Sequence, residues 1–136
     1  MAVRLGYAGL VPFVLLAALL WIVQDDLRPW LAIALTSYAA LIATFLGGIH
    51  WGLAAAGPAY LRRFHTIWGI TPSLVAWVAL IMPAYAGLPL LGALLIACAA
   101  VDRSTYPAAG WAAWLPMRYR LTVVAAFSCL LGAGTI

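Results

Sequence analysis

The sequence predicts an all-α, polytopic transmembrane helical bundle, and three observations carry that prediction. Of its 136 residues 68% are hydrophobic and only 7% charged, where an ordinary soluble domain carries about 25% charged residues. Such a chain cannot cover a water-facing surface, so its solvent is mostly lipid. Backbone groups in lipid need internal partners, which restricts spanning segments to helices or a closed barrel. The apolar runs are continuous rather than alternating, and this excludes the barrel.

Five spans are expected, at about 5–23, 31–56, 65–82, 88–102 and 116–136, within one integral membrane domain covering 1–136. A helix needs roughly 20 residues at about 1.5 Å each to cross the hydrocarbon core. The first, second and fifth runs meet this. The third is slightly short unless it begins in Tyr60–Phe64, and the fourth is the shortest. No A-x-A-like site precedes Gln24, and Trp21-Ile22-Val23 is bulky where cleavage wants small residues, so the first span is expected to be retained rather than removed as a signal peptide. Pro12 and Pro72 are expected to kink their helices, and Pro116 suits a helix start. The long connection Arg103–Leu115, with Tyr106, Trp111 and Trp114, suits the headgroup layer.

Charge sets the expected orientation. All seven basic residues are arginine, and glutamate and lysine are absent. With a cytoplasmic N-terminus, Arg4, Arg62, Arg63, Arg103, Arg118 and Arg120 fall inside and only Arg28 outside, beside Asp25 and Asp26. This is a positive-inside pattern, and it accounts for the net charge of +4 without any affinity for nucleic acid. Arg118 and Arg120 are expected to snorkel to lipid phosphates. Cys98 and Cys129 lie in different runs with no paired spacing, as small hydrophobes in helices do.

The second run holds the most unusual stretch, Phe45-Leu46-Gly47-Gly48-Ile49-His50-Trp51-Gly52. On a helical wheel Thr36, Ala40, Ala43, Gly47, Gly48 and Ala54 share one side with Trp51, while Leu35, Tyr38, Leu41, Phe45 and Ile49 occupy the other. Small residues let helices approach closely in membranes, so Gly47, Gly48 and Gly52 are expected at helix contacts and the larger arc toward lipid or a partner subunit. His50 falls at the edge of the small arc, toward the cytoplasmic side. An ionisable residue at that depth is a functional candidate, or else a neutral histidine bonded to a neighbouring helix. Asp102, ending the fourth run, is its natural companion, either paired with an interface arginine or lining with His50 a polar, water-reachable pocket walled by Trp51. His65 is a further candidate, with His50, for haem or metal, although two histidines bracketing a turn have no recognised metal spacing. No nucleotide, hydrolase or metalloprotease motif is present, so no catalytic residue is assigned, no cofactor is required, and enzyme chemistry is disfavoured though left open.

Leu5-Gly6-Tyr7-Ala8-Gly9-Leu10-Val11-Pro12-Phe13 and the Gly-Gly-Ile-His-Trp-Gly element at 47–52 resemble the transmembrane protein 69-like family, a bacterial and mitochondrial membrane group without a settled function. The likeness covers nearly the whole chain, departing at Trp114-Leu115-Pro116-Met117-Arg118-Tyr119-Arg120. The resemblance implies an energy-transducing membrane, bacterial plasma (inner) or mitochondrial inner, with the arginine-only, alanine-rich composition favouring the bacterial one. Two functions remain open. One is an accessory or assembly subunit of a larger respiratory or photosynthetic complex. The other is a binder or carrier of a quinone, haem or lipid that uses His50 and Asp102.

Overall fold

A computed structural model describes residues 2–135, so the outermost residue of the expected fifth span, Ile136, lies outside it together with Met1. Six α-helices follow one another: α1 (Ala2–Ala8), α2 (Val11–Ile22), α3 (Arg28–Ala56), α4 (Ala59–Ile81), α5 (Ala84–Thr105) and α6 (Leu115–Ala133). Connections of two residues join α3 to α4 and α4 to α5, which forces antiparallel neighbours. Prolines mark these starts: Pro58 and Pro83 cap α4 and α5, and Pro29 and Pro116 lie in the first turns of α3 and α6, where a missing amide hydrogen costs nothing.

The expected first span is one apolar run broken in two. Pro12 cannot donate an amide hydrogen to the turn before it, and the chain tightens at Gly9 and Leu10 before α2 resumes. The Tyr38 hydroxyl donates to the Gly9 carbonyl at 2.7 Å, so α3 braces the break. α4 begins at Ala59, six residues ahead of the expected start, and α5 runs over 22 residues instead of stopping short. Four helical segments, Val3–Ile22, Arg28–Ala56, Ala59–Ile81 and Ala84–Thr105, are long and apolar enough to cross a membrane. α6 is not among them: its 19 residues carry Arg118 and Arg120 near the start, and these lower its mean hydropathy.

α3 is the central element, packed on α2, α4, α5 and α6. Its inward face differs from the expected arc of small residues alone. Leu35 is fully buried with Ala39, Ala43 and Leu46, and Tyr38 turns in to Phe13, 4.9 Å between ring centroids and edge-on. The outward face carries Leu41 and Phe45 at 68% and 66% exposure. Gly47 does meet a helix: a Cβ there would come within 2.5 Å of the Gly69 carbonyl oxygen on α4, so only glycine allows this approach. Added Cβ atoms on Gly48 and Gly52 would instead meet open space. These two glycines lie on the outer surface and contribute nothing to packing within the chain.

Between α5 and α6 the chain makes two short 3-10 turns, Pro107–Ala109 and Ala112–Trp114, separated by Gly110 at a φ of 81°. That left-handed conformation suits glycine. It folds Trp111 back so that its amide donates to the Tyr106 carbonyl and its ring meets the Tyr106 ring edge-on at 5.4 Å.

Candidate functional site

Four helices each deliver one ionisable side chain to a single buried junction. His50 comes from α3, His65 from α4, Asp102 from α5 and Arg118 from α6, and none is more than 7% exposed. The periodicity of each helix explains the placement. His50 shares its face with the buried Leu46, Gly47 and Ala54, Asp102 with Leu95, Cys98 and Ala99, and Arg118 with Thr122 and Ala125. Residues three and four apart project from one side of a helix, so the helices that build the core also converge these groups at one end of it.

The contacts form a line. Arg118 Nε and Nη2 both donate to Asp102 Oδ2, at 3.0 and 2.8 Å. Asp102 Oδ1 lies 2.9 Å from His50 Nε2, and His50 Nδ1 lies 2.9 Å from His65 Nδ1, with the two rings stacked at 5.1 Å. A carboxylate held by a guanidinium only accepts, which assigns the hydrogen of His50 Nε2 to the bond with Asp102. His50 Nδ1 is then the acceptor of a hydrogen from His65 Nδ1 whenever His50 is neutral. His65 Nε2 has no partner, and every buried side-chain nitrogen and oxygen among the described residues has one, so this last atom reaches the surface. Buried charges are tolerable when paired and hydrogen-bonded, and here each member of the line satisfies the next.

Arg118 has a second neighbourhood. Its Nη1 donates to Thr122 Oγ1 at 3.1 Å, and both side chains line a cavity of about 690 Å³. The apolar walls come from the α1–α2 break, α3 and α6, including Phe13, Phe45, Ile49 and Leu121, and Tyr106, Trp111 and Trp114 close the end near Arg118. Phe45 is 66% exposed, which puts an opening on the flank that faces lipid. Burial, with the nearby Asp102 charge and against the pull of Arg118, pushes the Tyr106 hydroxyl up to about 12, so it stays protonated.

The sequence candidates are therefore brought together in part. His50, His65 and Asp102 meet, but His50 and Asp102 are each 1% exposed and sealed away from the cavity rather than lining a water-reachable pocket. Trp51, expected as a pocket wall, is half exposed on the outer surface, where its Nε1 donates to the Thr66 carbonyl at 3.1 Å. Both ring nitrogens of His50 are engaged, so it has none left for a haem iron, and the 2.9 Å gap between the two Nδ1 atoms is filled by their own hydrogen bond. Among the described residues no group of three or more histidine, cysteine or acidic side chains is placed to hold a metal. The expected pairing of Asp102 with an arginine at its level is made by Arg118, but Arg118 is buried rather than snorkelling; Arg120 is the exposed one, 3.4 Å from the Tyr7 hydroxyl. The signal was present in Arg118 and Thr122, four residues apart, facing the only acidic residue of the fourth run.

A family model described as "Protein of unknown function (DUF3429)" matches residues 1–134, and the chain belongs to that family. It is also similar to a protein named "Transmembrane protein 69" from Xenopus tropicalis, 42% identical over 82 residues, which are 59% of this chain and 32% of that protein. The chain thus spans about a third of that relative's length. No solved structure matches.

Proposed function

We propose that this member of the family is a membrane-embedded binding protein for an amphipathic molecule, held in the cavity beside Arg118. The observation that supports it is an imbalance at the cavity's polar end. Arginine has five N–H donors; Arg118 uses three, two on Asp102 and one on Thr122. The remaining guanidinium hydrogens, beside the Tyr106 hydroxyl, and the Thr122 hydroxyl hydrogen are the donors on a wall otherwise almost wholly apolar. Such a site fits an apolar body with an accepting head: a carboxylate, a phosphate or a quinone carbonyl. Its volume falls within the range of about 300–1,000 Å³ usual for small-molecule sites. In this reading His50 and Asp102 act through Arg118, which they orient, and do not touch the ligand.

The test is quenching of tryptophan fluorescence by tail-brominated stearate in nanodiscs, with Trp111 and Trp114 as reporters. Saturable quenching that is lost in Ala125→Phe, which narrows the cavity, is the expected result. Quenching that rises without saturation, or that is equal in both proteins, overturns the reading.

A second reading, an accessory subunit of a larger respiratory or photosynthetic complex of the bacterial inner membrane, is favoured by the outer face of α3. There Gly48 and Gly52 lie bare between Leu41, Phe45 and Trp51, and small residues spaced by four suit close helix approach. It predicts co-purification of stoichiometric partners in mild detergent, lost in Gly48→Leu; a lone chain in both proteins contradicts it. For orientation, the N-terminus is read as cytoplasmic because six of the seven arginines fall on one side. A cysteine placed at the exposed Ser104 should react with an impermeant thiol reagent only from the cytoplasmic side, and labelling from outside reverses the assignment.

A further inference from the structure

The line of contacts behind Arg118 raises a question of charge balance. Arg118 and Asp102 together are neutral, and they are almost fully buried. An anionic head docked on Arg118 adds a negative charge to this junction, and charges away from water interact strongly because little solvent screens them. The junction contains one atom able to take a compensating proton without breaking a contact. With His50 neutral, it donates to Asp102 through Nε2 and accepts from His65 through Nδ1, which leaves His65 Nε2 as the one ring nitrogen with a free lone pair.

We infer that an anionic, single-chain amphiphile binds beside Arg118 together with one proton, taken from water onto His65 Nε2. This rests on the cavity reading above and narrows it to ligands with an ionised head. The proton makes His65 an imidazolium whose Nδ1–H still donates to His50, so the line Arg118–Asp102–His50–His65 keeps every hydrogen bond while its net charge rises by one. No bond other than the new N–H forms. The groups facing the pair are Asp102 and Cys98 from α5, Arg118 from α6 and Tyr106 beyond the end of α5, while Arg62 and Arg63 on α4 are exposed to solvent. Beside these groups, only the histidines are of a side-chain type that ordinarily titrates near neutrality.

Linkage fixes the sign. If the anion favours the protonated junction, protons favour the anion by the same factor, so affinity is highest at low pH and falls as pH rises through the histidine range. The probe is dodecyl sulfonate, whose head stays ionised throughout, compared with dodecanol and with methanesulfonate, by calorimetry on the nanodisc protein from pH 5.5 to 8. The expected result is sulfonate binding weakened about fivefold or more over that range, the usual size of a coupling between sites, with dodecanol binding independent of pH and methanesulfonate not binding. In His65→Asn, whose amide can still donate to His50, the pH dependence should vanish while dodecanol binds as before.

Sulfonate and dodecanol both binding with no pH dependence overturns the proton and leaves the cavity reading standing. Neither binding in the wild type overturns the cavity reading itself. Methanesulfonate binding as tightly as the sulfonate overturns the amphiphile and makes this a site for free anions. A pH dependence that persists unchanged in His65→Asn overturns the assignment to His65.

Discussion

The two ends of the bundle are held by different means. At the end of Arg62, Arg103 and Arg118, four helices meet through charges, and α3 approaches α4 over Gly47 and Gly69. At the opposite end Leu20, Leu35 and Leu88 are fully buried, Gly132 of α6 packs against Leu35 and Leu20, and the ion pair Asp25–Arg28 is left in the open, with Asp25 90% exposed. One end has the packing of a plain helical bundle. The other sets a buried ionic line beside a cavity, although in lipid a buried charge is costly and apolar side chains would pack as well. The expensive arrangement stands next to the cavity of about 690 Å³, whereas the groove between α2 and α6 near Trp21 and Leu131 is about 340 Å³.

Mutations at the two ends separate these contributions, and each can be read as a shift in thermal unfolding in detergent. The largest loss is expected for Asp102→Ala, which strands Arg118 and His50 without their shared acceptor and should cost about 3–5 kcal/mol. At the opposite end Leu35→Ala should cost about 2 kcal/mol, the low end of the range for large-to-small core changes, because between membrane helices packing contacts rather than water exclusion are lost. A Leu35→Ala penalty above that of Asp102→Ala would reverse the comparison. Tyr38→Phe removes only the bond to Gly9 at the α1–α2 break and should cost about 1 kcal/mol. Asp25→Ala should leave the unfolding temperature unchanged, since exposed pairs contribute little; a measurable loss there would show that the open end is tied down by charge after all.

Much of the fold was legible because it follows from composition and run length. The apolar stretches placed the helices, and Pro12 and Pro116 mark where helices break or begin, while Pro72 lies inside a continuous α4. Boundaries slipped where charge or glycine interrupts hydropathy without interrupting the helix: Arg62 and Arg63 lie inside α4, and Gly87 and Arg103 inside α5. His50, His65 and Asp102 were legible as candidates because ionisable groups in apolar runs stand out. Their hydrogen-bonded order was not, because it depends on the rotation of four helices about their axes, which one sequence does not determine. Arg118 was misread for a related reason. An arginine near a helix start looks like a lipid-phosphate anchor until the neighbouring helix is seen to present a carboxylate. The cavity leaves still less trace in the sequence, since it arises from the break at Gly9–Leu10 and the turn at Gly110.

Native mass spectrometry of the protein released from mild detergent tests most directly whether the cavity beside Arg118 holds an amphiphile. A retained lipid-sized adduct on the wild-type chain, absent from Ala125→Phe, is expected. A bare wild-type chain, or the same adduct on both proteins, overturns the cavity reading.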